Sequence, residues 1–261
     1  MLAGTRKGKT MKLIKVLLML GLLLSLSACK WWGSTDEDYN PFEGKTAKEL
    51  YTESQKALAK EEYTAAIKRL EALETMYPFN DYAEQAEIDL INAYYKKGDY
   101  PSTAATAERF IHLYPRAQRV DYAYYMKALA NFQQTRGTLA NLLPIDESWR
   151  DPGTQSQAYS DFATLIQQFP DTRYKANALQ RMIYLRNLFA KRELNVAQYY
   201  FERRMYVAAA ERASYLIKTY PQAPTAKEAL SLLYRSNLAL GLGKAADEAL
   251  TVYQATYHSN P

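Results

Sequence analysis

The sequence predicts an all-α chain built from a repeated pair of helices, about five pairs in all. Three observations lead there. Residues 63–78 begin on Tyr63 and close on Tyr77-Pro78, residues 100–115 begin on Tyr100 and close on Tyr114-Pro115, and residues 206–221 begin on Tyr206 and close on Tyr220-Pro221. A looser copy closes on Phe169-Pro170, and a last one follows Leu242-Gly243-Lys244 to Pro261. Counting back from the four internal prolines, the fifth position is Leu73, Phe110, Leu165 and Leu216, and the eighth is Leu70, Ala107, Phe162 and Ala213. Apolar groups one turn apart mark one buried face of a helix. Counting forward, the eighth residue is Ala86, Ala123, Ala178 and Ala229, a small side chain suited to close helix approach.

Each proline ends its helix, because it supplies no backbone N–H and pushes the residue before it out of helical geometry. The segment after each proline is the first helix of the next pair, and Lys96-Lys97-Gly98-Asp99 is a short turn with glycine as its stop. Pro78 and Pro115 lie 37 residues apart, near the roughly 34-residue tetratricopeptide period. The predicted fold is therefore an all-α, tetratricopeptide-like helical repeat solenoid.

Taken in order, residues 1–28 read as a signal peptide. Arg6, Lys7, Lys9, Lys12 and Lys15 give a basic start, and an apolar run follows that is short for a membrane span of about 20 residues. Met11 opens an equally normal signal and is an alternative start. The run closes on Leu26-Ser27-Ala28-Cys29, and Cys29 is the single cysteine of the chain. That ending resembles the bacterial lipobox, which implies a lipid on Cys29, several acyl chains and firm membrane attachment. Lys30, where an aspartate would favour retention at the inner membrane, implies the periplasmic face of the outer membrane. A single lipidated cysteine leaves none for disulfides.

Residues 29–46 form a tether. Trp31 and Trp32 beside the lipid suit a membrane interface, and Pro41 and Gly44 favour extended chain over helix. Residues 47–135 hold the N-terminal repeats, residues 136–155 an insert loop, and residues 156–261 the C-terminal repeats. The insert carries Gly137, Pro144, Pro152 and Gly153, yet its Leu139, Leu142, Leu143, Ile145 and Trp149 are too apolar for a bare linker. No proline or glycine interrupts residues 173–207, which predicts unusually long helix there with a break near Arg203-Arg204.

Charge and chemistry narrow the function. The chain has 33 Lys+Arg against 28 Asp+Glu; with residues 1–28 removed the two are equal, so nothing points to nucleic acid. The two histidines, His112 and His258, have no companion at ligand spacing, and no phosphate loop or nucleophile elbow is present. The expectation is a non-enzymatic chain with no metal and no cofactor beyond the lipid. The 23 tyrosines point instead to binding. Asn92, Tyr95, Tyr122, Tyr125 and Phe132 fall at the steps of one face on the first helices of their pairs. Tyrosine there offers broad apolar area with a hydrogen-bonding tip, suited to an extended peptide or equally to packing between repeats.

Several segments carry a family resemblance. Leu70-Glu71-Ala72-Leu73, Tyr77-Pro78-Phe79, residues 90–96, Arg109-Phe110-Ile111, Arg150-Asp151-Pro152 with Phe162, and residues 196–200 followed by Glu202-Arg203 resemble the BamD family. These are the tetratricopeptide lipoproteins of the outer-membrane β-barrel assembly machinery. Arg204-Met205 departs from the pattern, which would place a glycine there. The resemblance implies a scaffold on the periplasmic face of the outer membrane. Its partners would be the periplasmic domains of the membrane-embedded assembly protein, other assembly lipoproteins, and the C-terminal signal strand of unfolded outer-membrane proteins. It places Tyr199, Tyr200, Glu202 and Arg203 toward the assembly protein, and the N-terminal tyrosine face toward the signal strand. A different periplasmic repeat lipoprotein, such as a secretin pilotin or a cell-envelope division coordinator, shares the periodicity.

Overall fold

A computed structural model describes residues 41–134, 146, 148 and 152–261. The chain divides into two units, residues 1–44 and residues 45–261. In the first, the described residues 41–44 form a turn, with Gly44 at φ +78°, where the composition predicted extended chain. Glycine carries no Cβ to clash in that left-handed conformation, so it accommodates the local turn.

Among the described residues the second unit is all helix and loop. Its elements are α1 (Ala47–Ala59), α2 (Tyr63–Met76), α3 (Ala83–Lys97), α4 (Tyr100–Leu113), α5 (Val120–Gln134), α6 (Gly153–Gln168), α7 (Lys175–Glu202), α8 (Tyr206–Thr219), α9 (Ala226–Ala239) and α10 (Gly243–Tyr257). Every helix packs on the next one in the chain, and α3 also meets α5 as α7 meets α9. Neighbour-to-neighbour packing of this kind is that of a repeat array of five helix pairs.

The array begins where a capping box starts α1. Thr46 Oγ1 accepts from the Glu49 N–H at 3.3 Å while the Glu49 carboxylate accepts from the Thr46 N–H at 2.8 Å. From there two kinds of turn alternate. At the end of the second helix of a pair, Tyr77, Tyr114, Phe169 and Tyr220 all take φ near −130° (−137°, −126°, −127° and −128°). Each still bonds its N–H back to the carbonyl four residues earlier, and the proline that follows prevents a further turn of helix.

Within four of the five pairs, the turn rests on one left-handed residue: Glu61 (φ 60°), Gly98 (83°), Arg204 (61°) and Gly241 (72°). In each case its N–H bonds to the carbonyl three residues back. The next N–H bonds five back, as in Asp99 to Tyr94 and Met205 to Tyr200, both at 2.9 Å.

The apolar ladder read from the prolines is the core. All eight residues at its two backward steps, Leu70, Leu73, Ala107, Phe110, Phe162, Leu165, Ala213 and Leu216, are fully buried. Ala86, Ala123, Ala178 and Ala229 are buried too, where a larger side chain would hold neighbouring helices apart.

The long helix is α7, 28 residues, ending where a break was expected at Arg203-Arg204. Its first half packs with α5 and α6 through Ala178 and Leu185, and its second half with α8 and α9 through Ala190, Leu194 and Ala197. The insert is shorter than predicted, because α6 already begins at Gly153. Its apolar residues from Leu139 to Ile145 and Trp149 lie outside the described residues. Asp146 and Ser148 do reach α7, through Lys191 at 2.8 Å and Asn195 at 2.8 Å. The lysine ammonium and the Ser148 hydroxyl hold the Asp146 carboxyl down at about 2.

Candidate functional site

The tyrosine face is formed by the first helices of successive pairs. Tyr51 on α1 stacks on Tyr82, the residue capping the start of α3, with ring centres 4.7 Å apart. Asp89 gathers Tyr51 (3.3 Å), Gln55 (2.6 Å) and Gln85 (2.9 Å), and burial together with that carboxylate pushes the Tyr51 hydroxyl up to about 12. Gln85 in turn accepts from Arg119 at 3.2 Å, which carries the network to the start of α5.

Asn92 and Tyr95 on α3 are half-buried, and the Tyr95 hydroxyl accepts from Gln133 on α5 at 3.1 Å. Tyr122 and Tyr125 lie one turn apart on α5, so they share a face. Tyr125 stacks flat on Tyr174, the residue capping α7, with centres 4.4 Å apart and planes 9° apart, and donates to Asn177 Oδ1 at 2.9 Å. Tyr122 meets the same Tyr174 ring at 6.0 Å, and burial pushes its hydroxyl up to about 12. The structure therefore brings Tyr95, Tyr122 and Tyr125 onto one connected surface.

Phe132 is a correction. It is 5% exposed and packs among Ala128, Phe162 and Leu185, with Arg181 above its ring, so it is core and not a free contact on the face. Three arginines on this surface escaped the sequence reading. Arg119 lies over Tyr122 at 5.3 Å, Arg173 over Tyr174 at 5.0 Å, and Arg181 bonds Asn177 at 2.8 Å. Among the described residues none of the three forms an ion pair. Tyr174 and Asn177 were missed as well. They lie about 50 residues from Tyr125, beyond the insert, where the repeat spacing gives no register.

The second candidate surface is the α7–α8 turn. Tyr199 is 46% exposed and Glu202 and Arg203 are exposed. Tyr199 and Tyr200 meet edge to face at 5.8 Å, and the Arg203 guanidinium lies 4.3 Å above the Tyr199 ring. Arg203 caps the end of α7, and α8 after it is an ordinary 14-residue helix. Glu193, a possible partner within the chain, pairs with Arg212 at 3.2 Å instead. Exposed Met205 and Val207 follow. An aromatic, an arginine and exposed apolar side chains together have the composition of a protein-binding hot spot.

Cys29, Trp31 and Trp32 lie outside the described residues. Among the described residues, no helix is long and apolar enough to cross a membrane, and no group of three or more His, Cys, Asp or Glu is placed to hold a metal. His112 is exposed and faces Glu108 at 3.0 Å.

Comparison with known proteins gives a consistent picture. The family described as YfiO, outer membrane lipoprotein, matches residues 43–252. The chain is 35% identical over 247 residues to the outer membrane protein assembly factor BamD of Neisseria meningitidis serogroup A, covering 95% of this chain and 92% of that one. The BamD of Vibrio cholerae is 37% identical over 206 residues, 79% of this chain and 86% of its own. That of Xylella fastidiosa is 34% identical over 222 residues, 85% and 76%.

Proposed function

Since the chain belongs to the YfiO family of outer membrane lipoproteins, whose relatives are outer membrane protein assembly factors, we propose that it works as a non-catalytic scaffold with two protein-binding surfaces. The first surface takes the C-terminal signal of unfolded outer-membrane proteins. The second holds the periplasmic domains of the membrane-embedded assembly protein. A lipid on Cys29 keeps both at the periplasmic face of the outer membrane.

One observation carries the first half. The Tyr122, Tyr125 and Tyr174 rings are joined by Arg119, Arg173 and Arg181, none of them in an ion pair among the described residues. Aromatic rings beside guanidinium donors suit an extended peptide that ends on an aromatic residue and a free carboxylate, which arginine grips with two parallel hydrogen bonds.

For the second half, Arg203 is exposed and held over Tyr199, which preorganises its planar head for a partner carboxylate. Losing one member of such an interfacial pair costs about 2–5 kcal/mol, so Arg203→Ala should raise the dissociation constant at least about tenfold.

The test of the first surface is the affinity of the full chain for a peptide ending in a free phenylalanine carboxylate, against the same peptide amidated. The free acid should bind at least about tenfold more tightly, and Arg181→Gln should erase much of that difference. Equal binding of acid and amide would defeat the reading. The second surface is tested by Arg203→Ala, which should leave the melting temperature of the isolated protein in place while weakening the complex.

A further inference from the structure

Away from both surfaces, a hollow of about 330 Å³ opens between the C-terminal ends of α2 and α4 and the first half of α3. Its wall is largely apolar, from Leu73, Ala86 and Leu90, and at its rim Phe79 is 99% exposed and Leu113 58%. Two carboxylates also face it: Glu74, and Glu87, which is 3% exposed. Both depend on Arg109. Its Nη2 lies 2.7 Å from Glu74 Oε1, while its Nε and Nη2 lie 2.9 and 3.0 Å from the two Glu87 oxygens. One guanidinium serves two acids.

The other copies of the repeat show that helix packing does not ask for this arrangement. At the step of Glu74 they carry Ile111, Ile166 and Ile217, and at the step of Glu87 they carry Tyr124, Leu179 and Leu230. At the step of Arg109 they carry Ala72, Thr164 and Tyr215. The reverse holds for Phe79, whose counterparts are Arg116, Asp171 and Gln222. Of the four junctions, this one puts acids at two steps where the others carry apolar or aromatic side chains, and a bare aromatic ring in water where the others are polar.

The surrounding charges favour a further cation. α2 and α4 both end here, so their negative dipole ends add to the two acids, while the positive start of α3 is met by Glu84. Glu71 is bonded to the Tyr94 hydroxyl, Tyr114 is neutral and raised by burial and by the nearby glutamates, and His112 on α4 is turned to Glu108. Among the described residues, Arg109 is left as the one positive group in contact with the two acids. Burial, and then Glu87, push the Glu74 carboxyl up to about 7 in spite of it.

We propose that this hollow docks a segment of a partner protein presenting an apolar side chain beside an arginine or lysine. The apolar group fills the hollow against Phe79 and Leu113, and the cation supplies a second counter-charge to the two acids, which share Arg109. Docking needs Glu74 ionised, so it strengthens as pH rises through 7.

The test is fluorescence anisotropy of the full chain with a labelled Leu-Arg-Phe peptide and its counterpart carrying neutral citrulline for arginine. At pH 8 the arginine peptide should bind about tenfold more tightly than the citrulline one, and moving to pH 6 should remove about tenfold of that affinity. Glu74→Gln should abolish the pH dependence. Glu74→Ile, which installs the residue of the other copies, should melt at a higher temperature and lose the arginine preference. Equal affinity for the two peptides, no binding of either, or a lower melting temperature for Glu74→Ile would overturn the proposal, the last by making the cluster a structural ion network.

Discussion

Arg204 offers a quantitative handle on how the array is built and used. It occupies the left-handed position of the α7–α8 turn at φ 61°, where the equivalent turns have Gly98 at 83° and Gly241 at 72°. The hydrogen bonds around it are those of the glycine turns, 2.9 Å from its own N–H to Phe201 and 2.9 Å from Met205 to Tyr200, so the geometry is imposed by the repeat and not by the side chain. A Cβ in this conformation costs about 1–2 kcal/mol. Glycine returns part of that through the greater freedom of its unfolded chain, leaving a net gain for Arg204→Gly of about 0.5–1 kcal/mol. In a unit of this size that is a rise in melting temperature of about 1–4 °C. Glu61→Gly, at φ 60° in the α1–α2 turn, should gain a similar amount and serves as a control far from the α7–α8 surface. Differential scanning calorimetry reads both. An unchanged or lower melting temperature in both variants would refute the claim that the turn stores strain. Should Arg204→Gly stabilise the chain yet weaken the complex with the assembly protein, the arginine is retained there for binding.

Other outcomes follow from packing and charge. Phe110→Ala empties a fully buried site between α3, α4 and α5 and should cost about 3–5 kcal/mol in urea unfolding; a loss below about 1 kcal/mol would mean that the core is misassigned. Truncation after Pro221 removes α9 and α10, of 14 and 15 residues, and should leave the first three pairs folded in far-UV circular dichroism. Wholesale loss of helix would contradict an array with neighbour-only contacts. Glu74 is raised in the folded chain from the ordinary 4.5 to about 7. The folded state therefore holds a proton that the unfolded state has released between those values, and this contribution to stability is lost as pH rises through 7. The stability gap by which Glu74→Gln exceeds the parent should widen from pH 5 to pH 8, on the order of 1 kcal/mol with partial exposure allowed for, and a constant gap would contradict the assignment.

What the sequence reveals depends on whether the signal is local. The proline-anchored steps are local, so the helix pairs, their buried faces and the small residues at the crossings can all be read directly, down to the break at Arg203-Arg204. The expected glycine at 204 is an instance: the backbone needs its geometry, and an arginine adopts it. The stack of Tyr125 on Tyr174 could not be read, because the insert destroys the register between α5 and α7 and because any surface tyrosine scores alike as groove or packing. Phe132 was misplaced for a related reason. Its helical step points to the same face as Tyr125, but the Arg181 and Tyr184 side chains of α7 close over it. The acid pair of Glu74 and Glu87 needs two copies of the repeat compared step by step before it stands out from ordinary helix-face charge.

The most direct test of the scaffold account is affinity purification of the full-length protein from detergent-solubilised envelope of its native host. The account predicts co-purification of a membrane-embedded β-barrel protein with periplasmic domains, diminished at least about tenfold in affinity by Arg203→Ala while the variant stays folded. Recovery of a secretin, or a tight complex with the β-barrel protein that Arg203→Ala leaves intact, would contradict it.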